Sequence, residues 1–261
     1  MTIAGFDLTD RVAVVTGGNK GIGKGIADAL AHAGAVVHIT GRDEAAGSAT
    51  VAGIESAGGK ARFHACDVND AQAMDDLLKL ASNSAEALGH SSPRLDILVN
   101  NAGISRADAT PEEMTDATWQ AVIDTNLNSV FKCCRSAHPL MQEHGGKIIN
   151  IGSMYSLFGT PFIPNYAASK GAIVQLTKSL ATAWARHNIQ VNSILPGWIS
   201  TDLTKGVEAD KKMVAQIEQR TPAGRFGVPE DLGGTAVFLA SDAANFVTGQ
   251  NIAVCGGYSV S

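Results

Sequence analysis

The chain has 261 residues, 45% of them apolar, and a formal charge of −5 from 20 basic and 25 acidic side chains. That length and apolar share suit one α/β domain built on a single core, spanning residues 1–261. The acidic balance, with no basic run longer than Lys211-Lys212, argues against a nucleic-acid partner, and no apolar run reaches the length of a membrane span.

Residues 1–10 carry Asp7 and Asp10 with neither a basic start nor a long apolar stretch, so they do not read as a signal peptide. Cys66, Cys133, Cys134 and Cys255 form no Cys-x-x-Cys and read as reduced residues of a cytoplasmic protein. None of the seven histidines has a metal-ligand spacing, and no metal is expected.

Residues 11–16 hold the apolar run Val12-Ala13-Val14-Val15, a buried parallel strand. It leads into Gly17-Gly18-Asn19-Lys20-Gly21-Ile22-Gly23 and a helix at 24–33. Glycines at 17, 21 and 23 let the backbone turn tightly and approach a diphosphate, whose charge meets the helix N-terminus. The spacing is Gly-x-x-x-Gly-x-Gly, which differs from the commoner Gly-x-Gly-x-x-Gly fingerprint. A second strand, 35–40, ends in Thr40-Gly41-Arg42-Asp43. No carboxylate stands at position 41 to take a ribose 2′-hydroxyl, and the Arg42 guanidinium suits a 2′-phosphate. These residues favour NADP(H) over NAD(H). The competing uses are stacking of Arg42 on adenine, which serves either cofactor, and capping of the next helix by Asp43.

A helix at 45–57, a strand at 61–66 running into Asp67-Val68, a helix at 70–88 with Asn69 as a candidate cap, and a strand at 95–99 follow. Asn100-Asn101-Ala102-Gly103 ends that fourth strand with residues small enough to pass beneath a cofactor. A loop at 104–110 leads to a long helical region, 111–137, which contains Asn126. Asparagine inside a helix is mildly unfavourable and is usually explained by exposure or a local bond.

The fifth strand, 147–151, puts Ser153 near its C-terminal end, where an open parallel sheet places its ligands. In the helix at 165–186, Tyr166 and Lys170 are one turn apart, so the ammonium is expected beside the phenol. A neighbouring cation favours the phenolate and brings a group that ionises near pH ~10 towards the range of a general acid or base. Taken alone, such a pair is a surface i,i+4 contact. The face formed by Ala168, Ala172, Leu176, Ser179 and Ala183 suits close helix packing, including a subunit contact. A sixth strand, 189–195, ends in Pro196-Gly197. A polar helix at 204–219 reads as a lid or as a plain surface helix, within a substrate-covering segment at about 198–225. Residues 222–232 start the last helix, and 251–254 form the last strand.

Five motifs in order, the glycine loop after Thr16, Asn101-Ala102-Gly103, Ser153, Tyr166-x-x-x-Lys170 and Pro196-Gly197, resemble the short-chain dehydrogenase/reductase family over residues 11–257. The resemblance implies a Rossmann-type doubly wound parallel sheet of about seven strands with helices on both faces. It implies a catalytic set of Asn126, Ser153, Tyr166 and Lys170, with the kinked backbone at Asn126 holding a water joined to Lys170. Cofactor contacts are implied for Gly17, Asn19, Lys20, Gly21, Ile22, Gly23, Arg42, Asp67, Val68, Asn101, Ala102, Gly103, Tyr166, Lys170, Pro196, Gly197, Ile199 and Thr201. In relatives, the residue at Asp67 takes the adenine amino group and the backbone at Val68 the ring nitrogen. A cation at Lys20 resembles the NADP-using members. Cys255 departs from the Asp that many relatives carry before the closing glycine pair. A homotetramer follows from the family's habit of pairing its long central helices.

The expected reaction is hydride transfer between a nicotinamide and a carbonyl or secondary alcohol, with Tyr166 as proton donor or acceptor and Ser153 hydrogen-bonded to the reacting oxygen. Tyr155, Phe158, Asn165 and Trp198, with Phe162, Arg106 and Lys205, are candidates to line a pocket for a small polar or anionic substrate. The stretches 153–159 and 221–227 resemble the branch of gluconate 5-dehydrogenase, 2-deoxygluconate 3-dehydrogenase and related sugar or polyol oxidoreductases. A 3-oxoacyl-carrier-protein reductase is the alternative enzyme. A non-catalytic cofactor sensor of the same fold would not need the intact Ser, Tyr and Lys, and an assembly protein of that fold would not need the intact cofactor loop.

Overall fold

A computed structural model describes residues 5–107 and 109–261. Seven strands, β1 Val12–Thr16, β2 Val36–Gly41, β3 Lys60–Ala65, β4 Ile97–Asn100, β5 Gly146–Ile151, β6 Ile189–Pro196 and β7 Asn251–Val254, form one parallel sheet in the order β3-β2-β1-β4-β5-β6-β7. The strands register as Val15 with Ile39 and Val99, Asn100 with Asn150, and Pro196 with Val254. Order reverses between β1 and β4, so the crevice of this doubly wound sheet opens beyond Thr16 and Asn100. The expected doubly wound fold is the observed one.

The helices are α1 Gly21–His32, α2 Glu44–Ser56, α3 Ala71–Ser82, α4 Asp116–Ile123, α5 Ser129–Met141, α6 Pro164–Trp184, α7 Lys205–Glu208, α8 Lys211–Arg220 and α9 Gly233–Ala240. Alternate residues of each strand face opposite sides. Ala13, Val15, Val37, Ile39 and Val99 pack against Ile26 and Leu30 of α1 and Ala236 and Leu239 of α9. Val12, Val14, Leu98 and Ile148 pack on the other face against α3, α5 and α6. Both faces are covered at the centre of the sheet, which is why β1 and β4 read as continuous apolar runs.

Several boundaries differ from expectation for local reasons. The region 111–137 is not one helix: between α4 and α5 the residues Asp124–Asn128 form a π-turn, closed by the Ser129 N–H donating to the Asp124 carbonyl. Helix α5 runs past Pro139 to Met141, because buried Ala137 and Met141 hold the turn in the core despite the missing N–H. The helix at 70–88 stops at Ser82 and tightens into a 3₁₀ segment, and it is capped by Asp70, which accepts from Ala73 N–H at 3.0 Å, rather than by Asn69. Asp43 caps α2 through Ala46 N–H at 3.0 Å. The polar helix at 204–219 breaks at Asp210, whose carboxylate caps α8 through the N–H groups of Lys212 and Met213. Residues 222–228 are not helical, and α9 begins only at Gly233.

Candidate active site

A cavity of about 1310 Å³ lies along the C-terminal ends of the strands. At one end is the β1–α1 loop. A Cβ on Gly23 would stand 2.3 Å from the Gly17 carbonyl oxygen, so any side chain there would fill the cradle. Lys20 precedes α1 without a side-chain cap, unlike Asp43, Asp70 and Asp210 at their helices, and the first N–H groups of α1 stay available to an anion. The donor set and the glycine cradle fit the diphosphate of a dinucleotide. The loop is braced from β4: Asn101 Nδ2 donates to the carbonyls of Thr16 and Gly17 at 2.9 and 3.1 Å, and the Thr16 hydroxyl accepts from the N–H of Asn101 and of Ala102.

Asn19, Gly21, Ile22, Arg42, Asp67, Val68, Gly103, Pro196, Gly197, Ile199 and Thr201 all line the cavity. Arg42 is exposed, with its guanidinium 3.7 Å from the Asp67 carboxylate. Lys20 stands apart from Arg42 in its pairing: its ammonium is 3.3 Å from Asp202, which also pairs with Lys205 at 2.5 Å. Asp202 thus ties the glycine loop to the segment after β6. That segment leaves and rejoins the sheet at one point, since Gly227 N–H donates to the Trp198 carbonyl at 2.8 Å and Ser200 N–H to the Gly227 carbonyl at 2.9 Å.

At the other end of the cavity stand Ser153, Tyr166 and Lys170. The turn after β5 is fixed by Ser156, which accepts from Ser153 N–H at 3.1 Å and donates to the Lys170 carbonyl at 2.7 Å. Lys170, buried, donates to the Ile151 carbonyl at 2.8 Å, and burial holds its ammonium pKa down at about 8. The one-turn spacing does bring Lys170 to Tyr166, but over the ring face, 5.7 Å from the centroid. Burial pushes the phenol up, opposed by a hydrogen bond with Ser153. The lowered phenol expected from the spacing is therefore not what the fold produces: removal from water outweighs a cation aimed at a backbone carbonyl.

Asn126 is fully buried in the π-turn and does not line the cavity. Its Oδ1 accepts from Ile104 N–H and its Nδ2 donates to the Ile104 carbonyl, both at 2.8 Å, with a further bond from Nδ2 to Ser169 Oγ at 3.2 Å. A Cβ added to Gly103 would lie 3.2 Å from Asn126 Oδ1 and 3.6 Å from Lys170 Nζ, so both side chains converge beneath the Asn101-Ala102-Gly103 segment.

Three candidate substrate residues are placed elsewhere. Asn165 is fully buried, accepts from Tyr166 N–H at 2.8 Å and donates to the Arg106 carbonyl at 3.0 Å, so it pins the first turn of α6 to the backbone at Arg106. Phe158 lies behind the wall, edge-on to Tyr258 at 6.3 Å. Lys205 is likewise absent from the lining and is paired with Asp202. Tyr155, Trp198, Phe162 and Arg106 do line the cavity. The Tyr155 ring stands edge-on to Tyr166 at 6.3 Å and to Trp198 at 6.5 Å. Leu203, Val207 and Met213, within the segment expected to cover substrate, and Tyr258 also line the cavity. Sequence reasoning gave the segment but none of these side chains, because neither a mixed polar helix nor a residue beyond the last strand carries a local signal.

A family model described as "Enoyl-(Acyl carrier protein) reductase" matches residues 17–259. The chain is 41% identical over 261 residues to the 2-dehydro-3-deoxy-D-gluconate 5-dehydrogenase of Escherichia coli (strain K12), with 99% of each chain covered. It is 40% identical over 257 residues to the gluconate 5-dehydrogenase of Gluconobacter oxydans (strain 621H), covering 98% of this chain and 97% of that one. A gluconate 5-dehydrogenase from Burkholderia cenocepacia J2315, solved in complex with NADP and tartrate, matches with a TM-score of 0.88 at 37% identity over 98% of each chain. With the glycine cradle, the Ser153, Tyr166 and Lys170 constellation and these full-length matches together, the chain belongs to the short-chain dehydrogenase/reductase family and is an oxidoreductase.

Proposed function

We propose that the protein interconverts a secondary alcohol and a ketone on a sugar acid, using NADP(H). The observation that carries this reading is one continuous cavity with the dinucleotide cradle at one end and Ser153, Tyr166 and Lys170 at the other. The relatives named gluconate dehydrogenases supply the substrate class, and the relative solved with NADP supports the cofactor. Arg106, on the wall and without a carboxylate partner among the described residues, offers a cation to an acid group.

The residues divide the work by position. A bound nicotinamide dinucleotide supplies or accepts the hydride. Tyr166 gives its proton to the carbonyl oxygen in reduction and takes it back in oxidation, and Ser153 hydrogen-bonds the same oxygen. Lys170 holds a positive charge under the phenol while it remains protonated. Gly17, Asn19, Gly21, Ile22 and Gly23 hold the diphosphate, Arg42 a 2′-phosphate, and Asp67 and Val68 the adenine. Asn101, Ala102 and Gly103 flank the ribose, and Pro196, Gly197, Ile199 and Thr201 bound the nicotinamide. Lys20, on the cavity wall and 3.3 Å from Asp202, adds a cation on the phosphate side. Asn126 positions the loop at Ile104 and carries the kinked backbone toward Lys170.

The segment at 198–225 covers the substrate, and its closure is steadied by Asp202. The assembly is a homotetramer in the cytoplasm, where the four free cysteines stay reduced. No helix among the described residues is long and apolar enough to cross a membrane.

The deciding experiment measures kcat/KM with each cofactor for D-gluconate, 2-dehydro-3-deoxy-D-gluconate, neutral polyols and a short 3-oxoacyl thioester. The sugar acids are expected to exceed the polyols by about tenfold or more. A thioester as the best substrate would replace this reading with carrier-protein chemistry.

A further inference from the structure

The end of the chain turns back into the cavity. Gly256 and Gly257 take φ of +60° and +90°, and the Gly256 carbonyl accepts from Ala223 N–H at 2.9 Å, which fastens the turn to the stretch after α8. A Cβ on Gly257 would stand 2.7 Å from Pro222 Cγ, so the turn admits no side chain there. What the double glycine delivers is Tyr258, half-buried and on the cavity wall.

Tyr258 is clamped. Its hydroxyl oxygen accepts from Arg220 Nη1 at 3.0 Å, and the guanidinium lies over its ring, 4.1 Å from the centroid. The same guanidinium is 5.3 Å from the Phe158 centroid, so Arg220 sits between two aromatic rings at the end of α8. Among the described residues no carboxylate neutralises it.

A phenol oxygen that accepts from a guanidinium keeps its own proton to give. The accepted bond polarises the O–H and makes it a stronger donor. Among the described residues nothing takes that proton. Tyr258 lines the same cavity as Tyr155, whose ring is 6.3 Å from that of Tyr166, so the donor belongs to the chamber of the reacting centre.

We infer that Tyr258 is a specificity-determining residue whose hydroxyl donates to an oxygen at the substrate end remote from the reacting carbon, with Arg220 as the positioning residue that orients it. The inference rests on the sugar-acid reading for the kind of oxygen met, a carboxylate before a hydroxyl. It also gives Phe158 its place, as the support behind Arg220 and Tyr258.

The test compares the parent with Tyr258→Phe, Arg220→Ala, Arg220→Lys and the double variant Tyr258→Phe/Arg220→Ala, on D-gluconate and on D-glucitol, its neutral counterpart. Tyr258→Phe is expected to raise the gluconate KM about tenfold or more while kcat moves less than about threefold. The cofactor dissociation constant, read by fluorescence, should not change, and the effect on glucitol should be smaller. Arg220→Ala should do the same, the double variant should be no worse than either single, and Arg220→Lys should recover part of the loss. An unchanged gluconate KM in Tyr258→Phe, an equal weakening of cofactor binding, or additive losses in the double variant overturns the assignment. A parent that turns over no sugar acid overturns the substrate reading instead, and the same KM comparison on the carbonyl it does reduce then decides Tyr258.

Discussion

Lys170 holds its ammonium 5.7 Å from the centroid of the Tyr166 ring while donating to the Ile151 carbonyl at 2.8 Å. The cation is thus fixed by the end of β5 and does not depend on the phenol for its place. In the proposed mechanism, proton transfer and anchoring are therefore separate tasks of the two side chains.

Tyr166→Phe should accordingly lower kcat by ~10²-fold or more, because a positioned acid is commonly worth at least that much. Cofactor affinity should stay within about threefold, since the anchoring groups are untouched. Steady-state rates with a fluorescence titration check both halves. Turnover close to the parent's removes Tyr166 from the chemistry.

Cofactor choice should turn on Arg42. A charge-assisted bond from its exposed guanidinium to a 2′-phosphate is worth ~1.5–3 kcal/mol, which gives roughly a ten- to hundredfold preference for NADPH over NADH. Arg42→Ala should erase most of it. Gly41→Asp should go further and favour NADH by setting a carboxylate against the phosphate. Its cost is local: a Cβ at 41 would stand 2.5 Å from Asn19 Oδ1, so that amide must turn aside. The ratio of kcat/KM for the two cofactors decides, and an unaltered enzyme that prefers NADH sinks the argument.

Acid should destabilise the sheet edge through a buried histidine pair. His38, in β2, is 1% exposed, with Nδ1 at 2.9 Å from His64 Nε2 and Nε2 at 2.9 Å from Ser84 Oγ. Burial first, then the charges of His64 and Arg62, hold His38 down at about 4 against an ordinary 6.5. A depressed folded pKa means that the unfolded chain binds the proton first, so stability is full above pH 6.5 and is lost as pH falls towards 4. Between pH 7 and 5 the loss is about 2 kcal/mol. Urea midpoints should fall over that interval, and His38→Gln should flatten the slope. An equal slope in the variant assigns the acid sensitivity elsewhere.

The tetramer has its own test in sedimentation. On α6, buried Ser169, Ile173, Thr177 and Leu180 face the core, whereas Ala168, Ser179 and Ala183 are exposed, with Leu176 half-buried between them. Phe131 and Trp119, also exposed, extend the apolar surface of the long helices. Four copies per particle at micromolar concentration are expected, and a concentration-independent monomer contradicts the reading.

Much of the molecule is written in short-range patterns. Apolar runs and the turn residues between them located the seven strands to within a residue or two, and the one-turn spacing placed Lys170 over the Tyr166 ring, because periodicity and turn chemistry act between neighbours in the chain. The glycine loop was legible for the same reason. Tertiary structure decided what each polar group is spent on. Asn165 is a candidate substrate contact by its place in the chain, yet it is consumed by the backbone of Tyr166 and Arg106. Lys20, a candidate phosphate cation by its place in the glycine loop, lines the cavity and also meets Asp202 from a distant segment. The spacing alone predicts a lowered phenol for Tyr166, whereas burial pushes it up, because burial depends on every wall of the cavity and the spacing reports only one neighbour. Tyr258 had no signal at all, since its role exists only where the last turn meets the end of α8.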